Sequence, residues 1–133
     1  MAALLLIVVA AVAGMLVTPA TAGAHPLSTT AVLLDIGAGE VTGQIQLPID
    51  RLAIALNQPL TAALVDEPAE LEELRQYVAA HVSATDATDG ATWTVTVADG
   101  RVETIDDVDH LVYDLIIRPL DGHLRDFRLH YDA

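Results

Sequence analysis

The sequence predicts a mainly β fold, an antiparallel β-sandwich of immunoglobulin-like topology that carries a helical insertion and is preceded by a signal-peptide helix. Three observations predict it. Several stretches after residue 30 alternate apolar and polar side chains with the period of a strand. One acidic stretch, 68–82, repeats its apolar residues with the period of a helix. Residues 1–24 are apolar and hold no charged side chain.

The leader comes first. Its apolar run, 2–17, is broken only by Gly14 and is followed by Thr18, Pro19 and small residues. A membrane-spanning helix needs about 20 apolar residues, so a secretory h-region is the better reading. Two small-x-small cleavage sites overlap at its end. Ala20-Thr21-Ala22 would leave Gly23 as the new first residue, and Ala22-Gly23-Ala24 would leave His25. The second is favoured, which divides the chain into a signal peptide, 1–24, and an extracytoplasmic domain, 25–133. The first basic residue is Arg51, so the leader lacks the Lys or Arg that such segments carry near their start; a start lying further upstream is the alternative.

The mature part then unfolds in order. Residues 30–36 place Val32, Leu34 and Ile36 on one side and Ala31, Leu33 and Asp35 on the other. Gly37-Ala38-Gly39 turns the chain into 40–47, where Val41, Gly43, Ile45 and Leu47 alternate with Thr42, Gln44 and Gln46, giving an antiparallel hairpin with one wet face. Pro48 has no amide to continue the ladder, and Ile49, Leu52, Ala53 and Leu56 follow at helical spacing as far as Asn57 and Pro59. From Pro68, Leu71, Leu74, Val78 and Val82 mark a longer helix with Glu70, Glu72 and Glu73 crowded into its first turns, where carboxylates oppose the positive end of the helix dipole. This stripe reads as core. The polar run 83–90 ends the helix.

Residues 91–98 alternate again, with Trp93, Val95 and Val97 inward and Thr92, Thr94 and Thr96 outward. Asp99-Gly100 is the dipeptide a tight hairpin turn favours, so 101–105 is expected to be its return strand. The most apolar strand is 111–120, closed by Pro119 and the Asp121-Gly122 turn signal. Residues 124–131 set Phe127, Leu129 and Tyr131 opposite Arg128 and His130. A good strand directly before Ala133, with no cap after it, leads to the expectation that the domain is incomplete at its C-terminal end.

Charge narrows the partners. Nineteen acidic residues against six arginines and no lysine give a net charge of −13, which disfavours nucleic acid and anionic membrane surfaces. Cations are the natural visitors. The absence of cysteine rules out disulfides, so an exported fold of this sequence depends on burial or on a bound ion.

His25-Pro26-Leu27-Ser28 behind a leader, Val41-Thr42-Gly43-Gln44-Ile45-Gln46-Leu47-Pro48 leading into Asp50-Arg51-Leu52, and the closing Phe127-Arg128-Leu129-His130-Tyr131-Asp132-Ala133 together resemble the extracytoplasmic N-terminal region of HupE/UreJ-family membrane proteins of actinobacterial type. The resemblance covers most of the mature chain and rests on strand patterns and a mature terminus. It implies a location on the outer side of the cell membrane, with membrane helices following in the family and a role near nickel or cobalt uptake. The partner it implies is the membrane-embedded part of the same protein or a neighbouring membrane protein. A chain that really ended at Ala133 would be secreted. The family's metal motif lies in its membrane helices and has no counterpart position here.

Metal binding by the mature domain would need its own ligands. His25 at a free amino terminus offers an amine and an imidazole nitrogen, a chelate that suits Ni, Co or Cu ions; the plain alternative is a solvated end residue. Small periplasmic copper carriers and lytic polysaccharide monooxygenases similarly begin with histidine, and the likeness ends at that residue. His110 follows Asp106, Asp107 and Asp109, hard oxygen donors that could attract a divalent cation, yet their spacing matches no calcium loop and a solvated acidic loop is the plainer reading. His81 on the edge of the long helix's stripe reads as partly buried and hydrogen-bonded, and His123 and His130 as surface residues. Enzymatic chemistry has no carrier in the sequence. Ser28 and Ser83 are the only serines and neither lies in a nucleophile elbow, and no His-Glu-x-x-His or phosphate-binding glycine loop occurs. The function expected is therefore an exported, non-enzymatic domain that gathers or hands over a transition metal near a permease; the alternative is a structural or protein-interaction module that holds no metal.

Overall fold

The computed structural model describes residues 29–132, so the leader, its two cleavage sites and His25 lie outside the described residues. The first alternating runs form β1 (Ala31–Ile36) and β2 (Val41–Pro48), an antiparallel hairpin whose turn is held by the Gly37 amide donating to the Glu40 carbonyl at 3.0 Å. Proline ends β2, and α1 (Ile49–Leu56) follows directly, burying Ile49 and Leu52. It stops at Asn57, whose φ of 51° is in the left-handed region that asparagine tolerates better than most residues. A single helical turn, α2 (Ala62–Val65), starts at Thr61, whose hydroxyl accepts from the Leu64 amide at 3.3 Å. Then α3 (Pro68–His81) runs with proline at its first position and Glu70 in its first turn, and sends Leu74 and Val78 into the core.

Four more strands complete the fold: β3 (Val82–Asp86), β4 (Thr92–Ile105), β5 (Val108–Arg118) and β6 (Phe127–Tyr131). They join the hairpin in one six-stranded antiparallel sheet of order β1-β2-β5-β4-β3-β6. The mainly β expectation with a helical insertion holds. Where a sandwich would close its core with a second sheet, here a single sheet curls and the helices cover its concave face. The curl follows from β4, which is long enough to change partners: Thr92 and Trp93 pair with β3, and the strand from Thr94 onward pairs with β5.

Inward positions of β2, β4 and β5 supply Ile45, Leu47, Val97, Leu111, Tyr113 and Leu115, packed under Leu52, Val65, Leu74 and Val78 from the helices. A smaller cluster of Val41, Ala84, Trp93 and Ile117 extends the core toward β6, where Leu124, Phe127 and Leu129 lie against it. Burying one such side chain contributes about 1.5–3 kcal/mol, so this continuous core is the main stabilising term.

Two local expectations are corrected. The polar run after α3 is not a loop throughout: Val82 is already extended, and 82–86 form β3 between β4 and β6. Nor is Asp99-Gly100 a hairpin turn. The strand continues through it, with Asp99 (φ 26°) as the extra residue of a β-bulge between Ala98, paired with Asp114, and Gly100, paired with Tyr113. A Cβ on Gly100 would run into the Tyr113 ring, so the glycine serves close packing instead of a turn. The true turn is Asp106-Asp107, both left-handed at φ 50° and 63°, which joins β4 to β5.

Candidate functional site

Among the described residues β1 is an edge strand, bonded to β2 on one side and to no strand on the other. It is also where apolar surface is concentrated. Leu33, Leu34 and Ile36 are 54%, 41% and 67% exposed, and among the described residues no other strand carries an exposed large aliphatic side chain. Edge strands of stable proteins are commonly blunted by lysine, proline or several charges. β1 has only Asp35. Its attachment to β2 depends on Gly43, opposite Leu34, where a Cβ would collide with the Leu33 carbonyl.

Two grooves flank this strand. The first, about 480 Å³, runs along the convex side and is lined by Leu33, Asp35, Gln44, Asp114 and Ile116 among others. The second, about 400 Å³, lies between Ile36 and the segment Leu124, Arg125, Asp126 and Phe127 that leads into β6. At the other end of β1, Thr30 and Tyr131 share a recess of only about 70 Å³ with Leu47, Pro48 and Arg51. The curl of the sheet thus brings its two edges toward each other at a seam, with a small recess between them at Thr30 and a larger one at Ile36.

The β6 wall of the seam is firmly held. Asp86 is fully buried, and its carboxylate accepts from the amides of Thr88 at 2.7 Å and Asp89 at 3.3 Å and from the Arg125 guanidinium. Arg125 also donates to Asp121 at 2.8 Å. The Thr88 amide first, and Arg125 next, hold the Asp86 carboxyl below the usual carboxylate range, and Arg125 does the same to Asp121. These groups are therefore permanent ions at neutral pH. Behind the wall, Phe127 stacks on Trp93 with ring centroids 5.0 Å apart, and the buried Trp93 indole nitrogen has no hydrogen-bond partner among the described residues.

Arginines elsewhere are committed to carboxylates: Arg118 to Glu40 at 2.6 Å, Arg75 to Glu72 at 2.6 Å, and Arg101 to Glu103 at 2.5 Å and Asp114 at 3.1 Å. With Arg125 these arginines are paired, and the excess of carboxylates keeps the net charge negative.

Of the metal candidates, His110 and Asp109 are described and point apart. His110 and Asp109 are neighbours in β5, and the two-residue period of a strand sends them to opposite faces. His110 is buried, its Nδ1 donating to the Val108 carbonyl at 2.9 Å, while Asp109 accepts from the Thr104 hydroxyl at 2.8 Å. Asp106 and Asp107 are occupied in making the turn. Among the described residues no group of three or more His, Asp or Glu side chains converges on one point. His81 is half-buried as anticipated, Nδ1 donating to the Tyr77 carbonyl at 2.7 Å, and His123 and His130 are exposed.

The β1 edge is the feature the sequence reading passed over. Its signal was present: in 31–36 both alternating sets are apolar except for Asp35, whereas the neighbouring 41–47 run is polar on one side. No family model, curated protein or solved structure matches this chain.

Proposed function

We propose that the chain is a non-enzymatic, extracytoplasmic protein-interaction module, the outward-facing part of a HupE/UreJ-like membrane protein, which meets the membrane-embedded part of that protein or a neighbour through β1. The observation that carries this reading is the row Leu33, Leu34 and Ile36 on an unblunted sheet edge. Covering three half-exposed aliphatic side chains gains roughly 2–4.5 kcal/mol, at about half of the 1.5–3 kcal/mol that full burial of each would bring. Association costs about 4–15 kcal/mol, so apolar contact alone does not hold a partner and the open backbone row of β1 must add its hydrogen bonds. The gathering of a transition metal rests on His25 and on the negative charge, with no described geometry added to it.

Photo-crosslinking in the cells that encode the protein tests the interaction reading. A benzoylphenylalanine at Leu34 is expected to capture one discrete partner, and the same group at Thr96, on the convex face of β4, to capture none. No adduct from position 34, or equal adducts from both positions, would overturn it.

A further inference from the structure

We infer that the occupant of this edge is an extended, basic segment of a second protein, which pairs with β1 at its Ile36 end and seats one apolar side chain between Ile36 and Phe127. The inference rests on the interaction reading above and names the partner's chemistry. Geometry supplies the first half of the argument. The recess at the Ile36 end is about 400 Å³ and the one that Thr30 shares with Tyr131 about 70 Å³, so the Ile36 end has the room for an added side chain. A residue paired with Ile36 or Leu34 would point to the concave side, toward Leu124 and Phe127, where an apolar side chain fits.

Charge supplies the second half. A residue paired with Asp35 or Leu33 would point to the convex side, at the rim of the groove lined by Leu33 and Asp35, where Asp114 is already paired with Arg101. There a lysine or arginine can lay its aliphatic stem on Leu33 and bring its head to Asp35. Asp126 adds a second carboxylate at the Ile36 end, where the neighbouring Arg125 is already paired with Asp86 and Asp121. An alternating apolar-basic strand therefore satisfies both faces at once. A second copy of this chain does not: each carries a net charge of −13, and none of the six residues of β1 is basic.

The test uses the full chain as its host exports it, titrated with three synthetic peptides: Val-Lys-Val-Arg-Val-Lys-Val, its counterpart with glutamate at the three basic positions, and a shuffled peptide with the valines and the basic residues in separate blocks. Trp93 is the sole tryptophan and stacks on Phe127 at the seam, so its emission reports occupancy. The alternating basic peptide is expected to give a saturable shift and at least tenfold slower amide exchange in β1. Ile36→Lys should weaken binding at least tenfold with an unchanged melting temperature, and Asp35→Asn about threefold. Equal binding of the shuffled or the acidic peptide overturns the inference. So does exchange protection of β1 that grows with protein concentration in the absence of peptide, which would make a second copy the occupant. If no peptide binds while Leu34 still crosslinks a partner, the basic strand is refuted and the interaction reading survives; if the crosslink fails as well, both fall.

Discussion

Asp86 shows how much one side chain can settle. Full burial of a carboxylate is costly, and here two backbone amides and Arg125 offset that cost while tying β3 to the segment before β6. Because the folded state holds this carboxyl below its ordinary range, the stability it contributes is present above about pH 4, the unfolded value, and is lost as pH falls below that. Protonation of the remaining acids relieves repulsion in the same range and works in the opposite direction. Comparing thermal unfolding of the protein with Asp86→Asn from pH 7 to 3 separates the two effects. The variant should melt on the order of 10 °C lower at pH 7 and change less between pH 5 and 3. Tyr113 is a second tie between layers, its hydroxyl donating to the Leu71 carbonyl at 2.6 Å. Burial pushes that hydroxyl well above its ordinary range, so it keeps its proton wherever the fold stands. Tyr113→Phe is expected to cost about 1 kcal/mol in denaturant unfolding. At His25 the prediction is of another kind. Calorimetric titration of a chain that begins at His25 with Ni(II), Co(II) and Cu(II) should give heat that His25→Ala abolishes, and a flat titration removes metal gathering from the proposal.

At the scale of elements, the sequence was legible wherever side-chain period was undisturbed. The β1–β2 hairpin, α1, α3 and the inward row Trp93, Val95 and Val97 each follow from spacing alone, because burying one face of a strand or helix forces the period. β3 escaped because its first inward residue, Val82, also fits the stripe of the preceding helix, the others are Ala84 and Asp86, and an aspartate that is buried by its donors looks in sequence like part of a loop. Asp99-Gly100 misled for a different reason. The same dipeptide suits a turn, through its backbone freedom, and a bulge, through its lack of a side chain, and only the distant Tyr113 ring decides between them. The exposed edge was present as a pattern too, but which flank of β1 lies open depends on strand order, and no local spacing encodes that. Two substitutions check this account. Gly100→Ala should destabilise by about 1–3 kcal/mol, since it forces a methyl group against a packed ring. Asp107→Gly, at φ 63° in the true turn, should stabilise by about 0.5–1 kcal/mol, since glycine takes the left-handed conformation without the steric cost. Both are read from denaturant midpoints, and a destabilising Asp107→Gly would count against the turn at Asp106-Asp107, as a neutral Gly100→Ala would against the close approach to Tyr113.

For the molecule as a whole, a net charge of −13 on a single small domain sets self-repulsion against the burial that holds the sheet closed. That net figure already counts the arginines, and the carboxylates are spread over both the helices and the sheet. Repulsion between groups on opposite sides of the molecule acts over more than a Debye length at physiological salt, about 8 Å, whereas at 0.01 M that length is about 30 Å and every carboxylate repels every other. Raising sodium chloride from 10 to 150 mM should therefore raise the melting temperature by several degrees, most of it below 100 mM. A neutral osmolyte at matched osmolarity should not reproduce that curve. Surface ion pairs such as Arg75–Glu72 and Arg118–Glu40 would weaken over the same interval, but each contributes only about 0–1 kcal/mol, too little to reverse the trend. A melting temperature that falls with salt would mean instead that the arginine pairs outweigh the excess charge. The negative field would then be too well compensated at short range to select a basic strand at β1.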